Sequence, residues 1–453
     1  MLDRSIPAER RPLLAALVGA AFLSVAVAVA VAVAGSGCGG GQGGGGGGSG
    51  GTAQGTGGAA GQITTGTAGT GATGGGAGRG GATAGSAGSS NAGRGGTTGS
   101  AGRGGSGGTT NRPPPQAVLG MMSPGWNLGN SFDATPDETS WGNPTPSQTL
   151  IKAVHAAGFK TLRLPVTWTN HFGAGPAYTI DSAWMAKVVQ TAKWAVDDGM
   201  FVFVNTHHDA DGQWITFPAS ASSAATIAAE VKAIWTQIAT AFKSFDSHLM
   251  LECFNEPHNV NGNDAATQTD LNMYLEACVN AIRGTGGANA TRLIMIQPVG
   301  ASPLQDGIQS MMNASIIGDP NLLISIHTYY PINFGLSETR YAWGSADDYT
   351  SMRDSLAQQL RVWLPTQPVL IGEWGSMGAQ VTTNRAAHAL AYSQDVTTAG
   401  MVPIWWDNGG SGSGSFSLFN RNTGAVSQPD IVNAIMTGVR NGLAAPNSWA
   451  AHP

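Results

Sequence analysis

Leu249-Met-Leu-Glu-Cys-Phe-Asn-Glu-Pro-His258 is an apolar run that ends in polar chemistry. Leu249, Met250 and Leu251 read as a buried strand, and Asn255, Glu256 and Pro257 arrive together where that strand stops. A strand of this kind presents an acid at the rim of a sheet. Much later, Pro368-Val-Leu-Ile-Gly-Glu-Trp-Gly375 repeats the device, with Glu373 closing a second apolar run. A single glutamate after a strand is more often structural or solvated than reactive. What the neighbouring strands carry at their ends therefore decides the reading.

Working outward, short apolar runs alternate with helical segments. Strands are expected near Pro124–Leu128, Phe159–Pro165, Phe201–His207, Leu249–Phe254, Arg292–Gln297, Leu322–His327, Pro368–Gly372 and Met401–Trp406. Ser147 and Asp181 are placed to cap helices, and Gly199 to close one. Further helical patterns run over about 222–244, through Leu271, Tyr274, Leu275 and Val279, and over about 346–364, 383–399 and 428–438. Continuous apolar strands separated by helices indicate parallel sheet buried on both faces. Eight such units predict an α/β fold, a (β/α)8 TIM barrel over 116–445. An open doubly wound sheet is the competitor. It is disfavoured because nearly every strand carries polar residues at its C-terminal end, and in a barrel those ends share one mouth.

The strand ends deliver a consistent set. The first gives Trp126, Asn127 and Asn130, the second Arg163, and the third His207, His208 and Asp209. The fourth gives Asn255 and Glu256, the sixth His327, Tyr329 and Tyr330, the seventh Glu373, and the eighth Trp405, Trp406, Asp407 and Asn408. Retaining glycoside hydrolysis needs one carboxylic acid to protonate the leaving oxygen and one carboxylate to attack the anomeric carbon. Arg163 beside a carboxylate would hold it charged, and a tyrosine hydroxyl would aim it. Asn255 is placed to meet the sugar 2-hydroxyl.

The chain before this domain has a different character. Of its 67 glycines more than half precede residue 112. Residues 1–37 read as an export signal or membrane anchor: Arg4, Arg10 and Arg11, then an uncharged apolar run over 12–34. Gly35-Ser-Gly-Cys38 resembles a bacterial lipobox, with Cys38 as the lipidation site and Gly35 where leucine is usual. Residues 38–115 form a Gly/Ala/Thr/Ser-rich linker without apolar periodicity, expected to be disordered and to span about 45–50 Å. A short tail follows at 446–453. These features predict an exported protein, lipid-anchored at the cell surface or secreted. A net charge of −5, with 11% charged residues and no basic stripe, argues against a nucleic-acid partner.

With its surrounding motifs, the two-glutamate set resembles glycoside hydrolase family 5, most closely the subfamily 4 endoglucanases and xyloglucanases. The motifs are Gly125-Trp-Asn-Leu-Gly-Asn130, Leu162-Arg-Leu-Pro-Val-Thr-Trp168, Asn205-Thr-His-His-Asp209, Asn255-Glu-Pro257, Ser325-Ile-His-Thr-Tyr-Tyr330, Gly372-Glu-Trp-Gly375 and Ile404-Trp-Trp-Asp-Asn-Gly409. The resemblance covers about 116–440. It implies Glu256 as acid/base and Glu373 as nucleophile, with Arg163 and Tyr329 supporting the nucleophile. His207, Asn255 and His327 would shape the subsite of the reacting sugar, with His208, Asn127 and Asn130 beside it. One of Trp405 and Trp406 would be the sugar platform, and a non-proline cis peptide is suggested nearby. Ser417 and Asn420 depart from the family's usual segment and are expected to be structural.

The implied function is a retaining endo-β-1,4-glucanase acting on cellulose-like β-glucans, with xyloglucanase or mannanase as alternatives within the family. A non-catalytic surface glycan-binding protein is the alternative of another class. A monomer without cofactor or metal is expected. His207-His208-Asp209 is weighed as a ligand set and set aside, because adjacent histidines rarely hold one ion. Glu252 lies deeper on the same strand as Glu256 and reads as a buried ion-pair partner. Cys253 and Cys278 are expected as buried free thiols; a disulfide between them is an alternative that spacing cannot place.

Overall fold

The structure is a computed structural model that describes residues 115–217, 220–259 and 264–445. The signal segment, Cys38, the linker up to residue 114 and the tail from residue 446 lie outside the described residues. Among the described residues no helix is long and apolar enough to cross a membrane.

Helix α1 (Pro115–Met122) precedes strand β1 (Gly125–Asn127), and α2 (Gln148–Ala156) leads to β2 (Thr161–Leu164). Then come α3 (Ser182–Asp197), β3 (Phe201–Asn205), α4 (Ala221–Ala241), β4 (Leu249–Glu252), α5 (Ala265–Gly284) and β5 (Ile294–Ile296). The second half adds α6 (Gln305–Met311), β6 (Leu322–His327), α7 (Ala346–Arg353), β7 (Val369–Trp374), α8 (Thr382–Thr398), β8 (Val402–Trp405) and α9 (Pro429–Ala444). Every neighbouring strand pair is parallel, and β8 returns to β1, so the sheet closes into an eight-stranded barrel. The (β/α)8 expectation holds.

The helix starts follow local chemistry. Ser147 accepts from the Leu150 amide, Asp181 from Ala183 and Trp184, and Asp264 from Thr267. Each side chain satisfies an amide that the first helical turn leaves without a partner. Gly199 ends α3 at φ 89°, a left-handed conformation that favours glycine.

Two apolar layers follow from strand alternation. Outward-facing strand residues such as Leu162, Val204, Leu251 and Ile326 pack against the helices. Inward-facing Phe203, Met250, Leu293, Met295, Leu323, Leu370, Val402 and Ile404 fill the lower barrel. Val118, Leu119 and Met122 of α1 join that inner layer, so α1 plugs the N-terminal end of the barrel. Pro115 opens this helix. Proline at a first helical turn forfeits no internal hydrogen bond.

Cys253 and Cys278 form a disulfide, with Cα atoms 6.0 Å apart. The free-thiol expectation is therefore corrected. The chain leaves β4 at Cys253 directly against the buried face of α5, and that packing brings the two sulfurs together.

Candidate active site

Above the apolar floor the inward positions change character. Asn127, Arg163, Asn205 and Glu252 each stand two residues beyond an inward position of the lower layer or pair beside one, and all four are fully buried. Arg163 is their hub. Its Nε donates to Glu252 Oε2 at 2.8 Å and its Nη1 to Glu373 Oε1 at 2.6 Å. Nη1 also donates to Asn127 Oδ1 at 3.0 Å, and Nη2 to Asn255 Oδ1 at 2.8 Å. Two carboxylates and two amide oxygens thus share one guanidinium, which has donors only. Because Asn255 turns its oxygen to Arg163, its NH2 faces the mouth as a donor.

Glu373 accepts a second hydrogen bond from Tyr329 Oη at 2.9 Å. His327 joins the two acids: its Nδ1 is 2.8 Å from Glu256 Oε1 and 3.7 Å from Glu373 Oε2. One atom each from Glu256, His327 and Glu373 lies within 4.8 Å of the others. These residues come from β2, β4, β6 and β7 or the turns after them, so closure of the barrel is what assembles the group.

Burial raises both acids and lowers both histidines. Burial pushes Glu256 up to about 7, with Asp211 adding to the rise and His258, Arg163 and His208 opposing it. Burial also raises Glu373, against the opposing pull of His327, Arg163 and the Tyr329 hydroxyl. His327 is driven down to about 4 by burial, and His207 well below its ordinary value by burial and by His208. Both rings are neutral. Asn205 Oδ1 accepts from the Val166 amide, so its Nδ2 donates to Glu252 at 3.0 Å and faces His207 Nδ1 at 3.2 Å. This leaves the His207 proton on Nε2.

The remaining expected residues fall into place unevenly. Trp406 sits at the mouth, with its ring nearly parallel to His207 at 7° and centroids 5.8 Å apart. Trp405 points the other way: it is fully buried, edge-on to Trp374, and its Nε1 donates to Phe416 O at 2.9 Å. Alternation decides the pair, since Ile404 faces inward, Trp405 outward and Trp406 inward again. Trp405 is thereby removed from the substrate-facing set. The cis peptide bonds among the described residues all precede proline, so the suggested non-proline cis bond is corrected as well.

Asn127 braces the wall, donating to Gly372 O and Trp405 O at 3.0 and 3.1 Å. Asn130, at φ 54°, uses its backbone: its amide donates to Asp133 and its carbonyl accepts from Asn143. His208 stands apart from the two acids. It pairs with Asp211 at 2.6 Å beside the Trp141 ring, and that partner overrides burial to raise it to about 9.

Asp209 turns from the histidines toward Trp168, Thr169 and Trp214, so the His-His-Asp run does not converge on one ion. Asp133, His207 and His208 do bring three potential ligand atoms within 4.8 Å. The Asp133 oxygens already accept from the Asn130 and Ser131 amides, and His208 Nδ1 is taken by Asp211. That occupancy reads as an ion-pair network. Trp168 is core, while Trp141 and Trp214 stay partly exposed in the loops. Asp407 pins the eighth turn, binding Trp126 Nε1, the Leu418 amide and Arg421. Ser417 and Asn420 bond only to nearby backbone.

Sequence reasoning passed over Asn205, Gln297 and His258. Gln297 closes β5, and its amide donates to the carbonyl of Phe254, next to Asn255. His258 Nδ1 donates to the backbone carbonyl of Glu256 at 2.7 Å. Inward alternation along β3 and β5 marks Asn205 and Gln297; nothing in the sequence separates His258 from a solvated loop residue.

In sequence and fold the chain is similar to known proteins. The family model for cellulase (glycosyl hydrolase family 5) matches residues 127–412. The chain is 37% identical to Endoglucanase B of Clostridium cellulovorans over 71% of this chain and 75% of that protein. A solved structure of a subfamily 4 broad-specificity endoglucanase from Ruminococcus champanellensis with bound cellotriose is 31% identical. It covers 71% of this chain and 98% of its own, with a TM-score of 0.67. A family 5 xyloglucanase from Paenibacillus pabuli, in complex with a ligand, is 32% identical over 71% of this chain and 99% of its own, with a TM-score of 0.62.

Proposed function

The chain belongs to glycoside hydrolase family 5 and is an enzyme of the cellulase type, and from that premise we propose that it is a retaining endo-β-1,4-glucanase with Glu256 as acid/base and Glu373 as nucleophile. The observation that carries this reading is the closeness of the two acids across His327. One oxygen of each lies within 4.8 Å of the other, an approach that fits a retaining pair, whose carboxyl groups stand about 5–5.5 Å apart, better than the roughly 6.5–9.5 Å that an inverting pair keeps for its water.

In the first step Glu373 attacks the anomeric carbon as the glycosidic C–O bond breaks, and the leaving oxygen takes the proton of Glu256. In the second, Glu256, now a carboxylate, takes a proton from water. The water oxygen bonds to the anomeric carbon, and Glu373 leaves as a carboxylate. Arg163 and Tyr329 hold Glu373 ready by two charge-assisted hydrogen bonds. The Asn255 NH2 meets the 2-hydroxyl, and Trp406 offers its face to the sugar ring. Glu373→Ala should lower hydrolysis of a soluble β-glucan by roughly a thousandfold or more, by comparison with loss of other nucleophiles. Normal rates in that variant would remove the assignment.

Cellulose-like β-glucan is the proposed substrate, in line with the cellotriose bound to a solved relative. Xyloglucan is the second reading, supported by the likeness to a xyloglucanase. Rates on cellulose, xyloglucan, mixed-linkage glucan and mannan separate the two, since fold alone does not fix substrate. We also propose that the protein is exported and lipid-anchored at Cys38, with residues 39–111 as tether. The disulfide supports this reading, because structural disulfides persist in oxidising compartments.

A further inference from the structure

We propose that Ser325 is a positioning residue for the reaction: through one bridging water its hydroxyl serves His327 Nε2 and so keeps the ring proton on Nδ1, facing Glu256. The catalytic consequence rests on the acid/base reading of Glu256; the tautomer does not.

Which nitrogen of His327 carries the proton depends on what faces each one. His327 Nδ1 faces two carboxyl groups, Glu256 Oε1 at 2.8 Å and Glu373 Oε2 at 3.7 Å. A proton there serves Glu256 in either of its states, whereas a lone pair there would be repelled by the Glu373 carboxylate and, whenever Glu256 has given up its proton, by Glu256 too. The buried ring carries a single proton, as its lowered pKa shows, so Nε2 is left as an acceptor. That nitrogen is fully enclosed and has no partner among the described residues. An unserved buried acceptor is costly.

One side chain answers this need. Ser325 precedes His327 by two residues on β6, so both face the barrel interior. Its Oγ is also buried and unpartnered. Both atoms close on the bare backbone of Gly372: a Cβ added there would stand 2.6 Å from Ser325 Oγ and 2.9 Å from His327 Nε2. They flank one point without hydrogen-bonding each other, a separation that one bridging water would span. The other unpartnered oxygens on this inner face, Glu252 Oε1 and Gln297 Oε1, accept only. Glycine at 372, just before the nucleophile, is what lets the serine and the ring approach.

With the proton fixed on Nδ1, Glu256 Oε1 is always the accepting oxygen. The acidic proton then resides on Oε2, the oxygen left free for the leaving group. His327 need not change tautomer when Glu256 alternates between acid and base.

The test is the nitrogen spectrum of protein labelled with 15N-histidine, the His327 signals being those missing in His327→Gln. The wild type should show Nδ1 protonated and Nε2 bare. Ser325→Ala should mix the tautomers and lower kcat about fivefold, the worth of one hydrogen bond, with KM unaltered. Ser325→Thr, which keeps the hydroxyl, should retain the Nδ1-protonated ring. A wild-type ring protonated on Nε2, or a Ser325→Ala ring with its tautomer unmoved, overturns the proposal. The spectrum reports on the serine and is blind to the role of Glu256, which the pH profile tests separately.

Discussion

Glu256 and Glu373 are the same residue type in one site, and their partners make them different. Glu373 has Arg163 and Tyr329 as donors; Glu256 has a neutral histidine and a quarter of its side chain open to the mouth. Since burial lifts Glu256 to about 7, kcat/KM should fall as pH rises through that value. Glu256→Gln should lose this limb while still cleaving substrates with activated leaving groups; an unchanged profile would take the role from Glu256. The same shift has a consequence for stability. A carboxyl whose folded pKa is raised stabilises the fold below the ordinary carboxylate range and loses that contribution as pH rises toward 7. Thermal unfolding should therefore find Glu256→Gln more stable than wild type at pH 8 by roughly a few degrees, with little difference at pH 4. At this scale the sequence was legible wherever a polar residue closes an apolar strand. Trp405 and Trp406 could not be told apart until the register of β8 was known. His258 acts through backbone geometry that no spacing encodes.

Among the elements, β4 and the turn after it depend most on their supports. Gln297 reaches the Phe254 carbonyl from β5, His258 reaches that of Glu256, and the Cys253–Cys278 disulfide ties the end of β4 to α5. The link closes a sequence separation of 25 residues around the acid/base turn. Chain-entropy arguments give such a link about 3 kcal/mol. Cys253→Ala with Cys278→Ala should thus lower Tm by roughly 5–10 °C, read by calorimetry. A Tm equal to wild type would mean the link constrains nothing that matters to folding. The strands and most helices were legible because buried parallel strands and capped helices leave strong local patterns. Helix α1 was not: its eight residues make only about two turns, and its apolar side chains make sense only once the barrel floor exists. The disulfide was illegible for a related reason, since pairing depends on how α5 packs.

For the whole molecule, the barrel turns eight scattered strand ends into one site, which is why the ordered set of ends was more informative than any motif alone. The stretch Leu249–His258 became decisive only through Arg163, His327 and Glu373, each from a distant part of the chain. Outside the barrel the proposal is an anchored, tethered enzyme. Export in a bacterial host followed by fractionation should place the wild type in the membrane fraction and release Cys38→Ala. Equal release of both would dismiss the lipid anchor without touching the catalytic account. That account stands on retention. Following the anomeric protons by NMR during the first minutes of soluble β-glucan hydrolysis tests it most directly. The account predicts that the new reducing end appears first as the β-anomer and only later equilibrates; initial release of the α-anomer would contradict it.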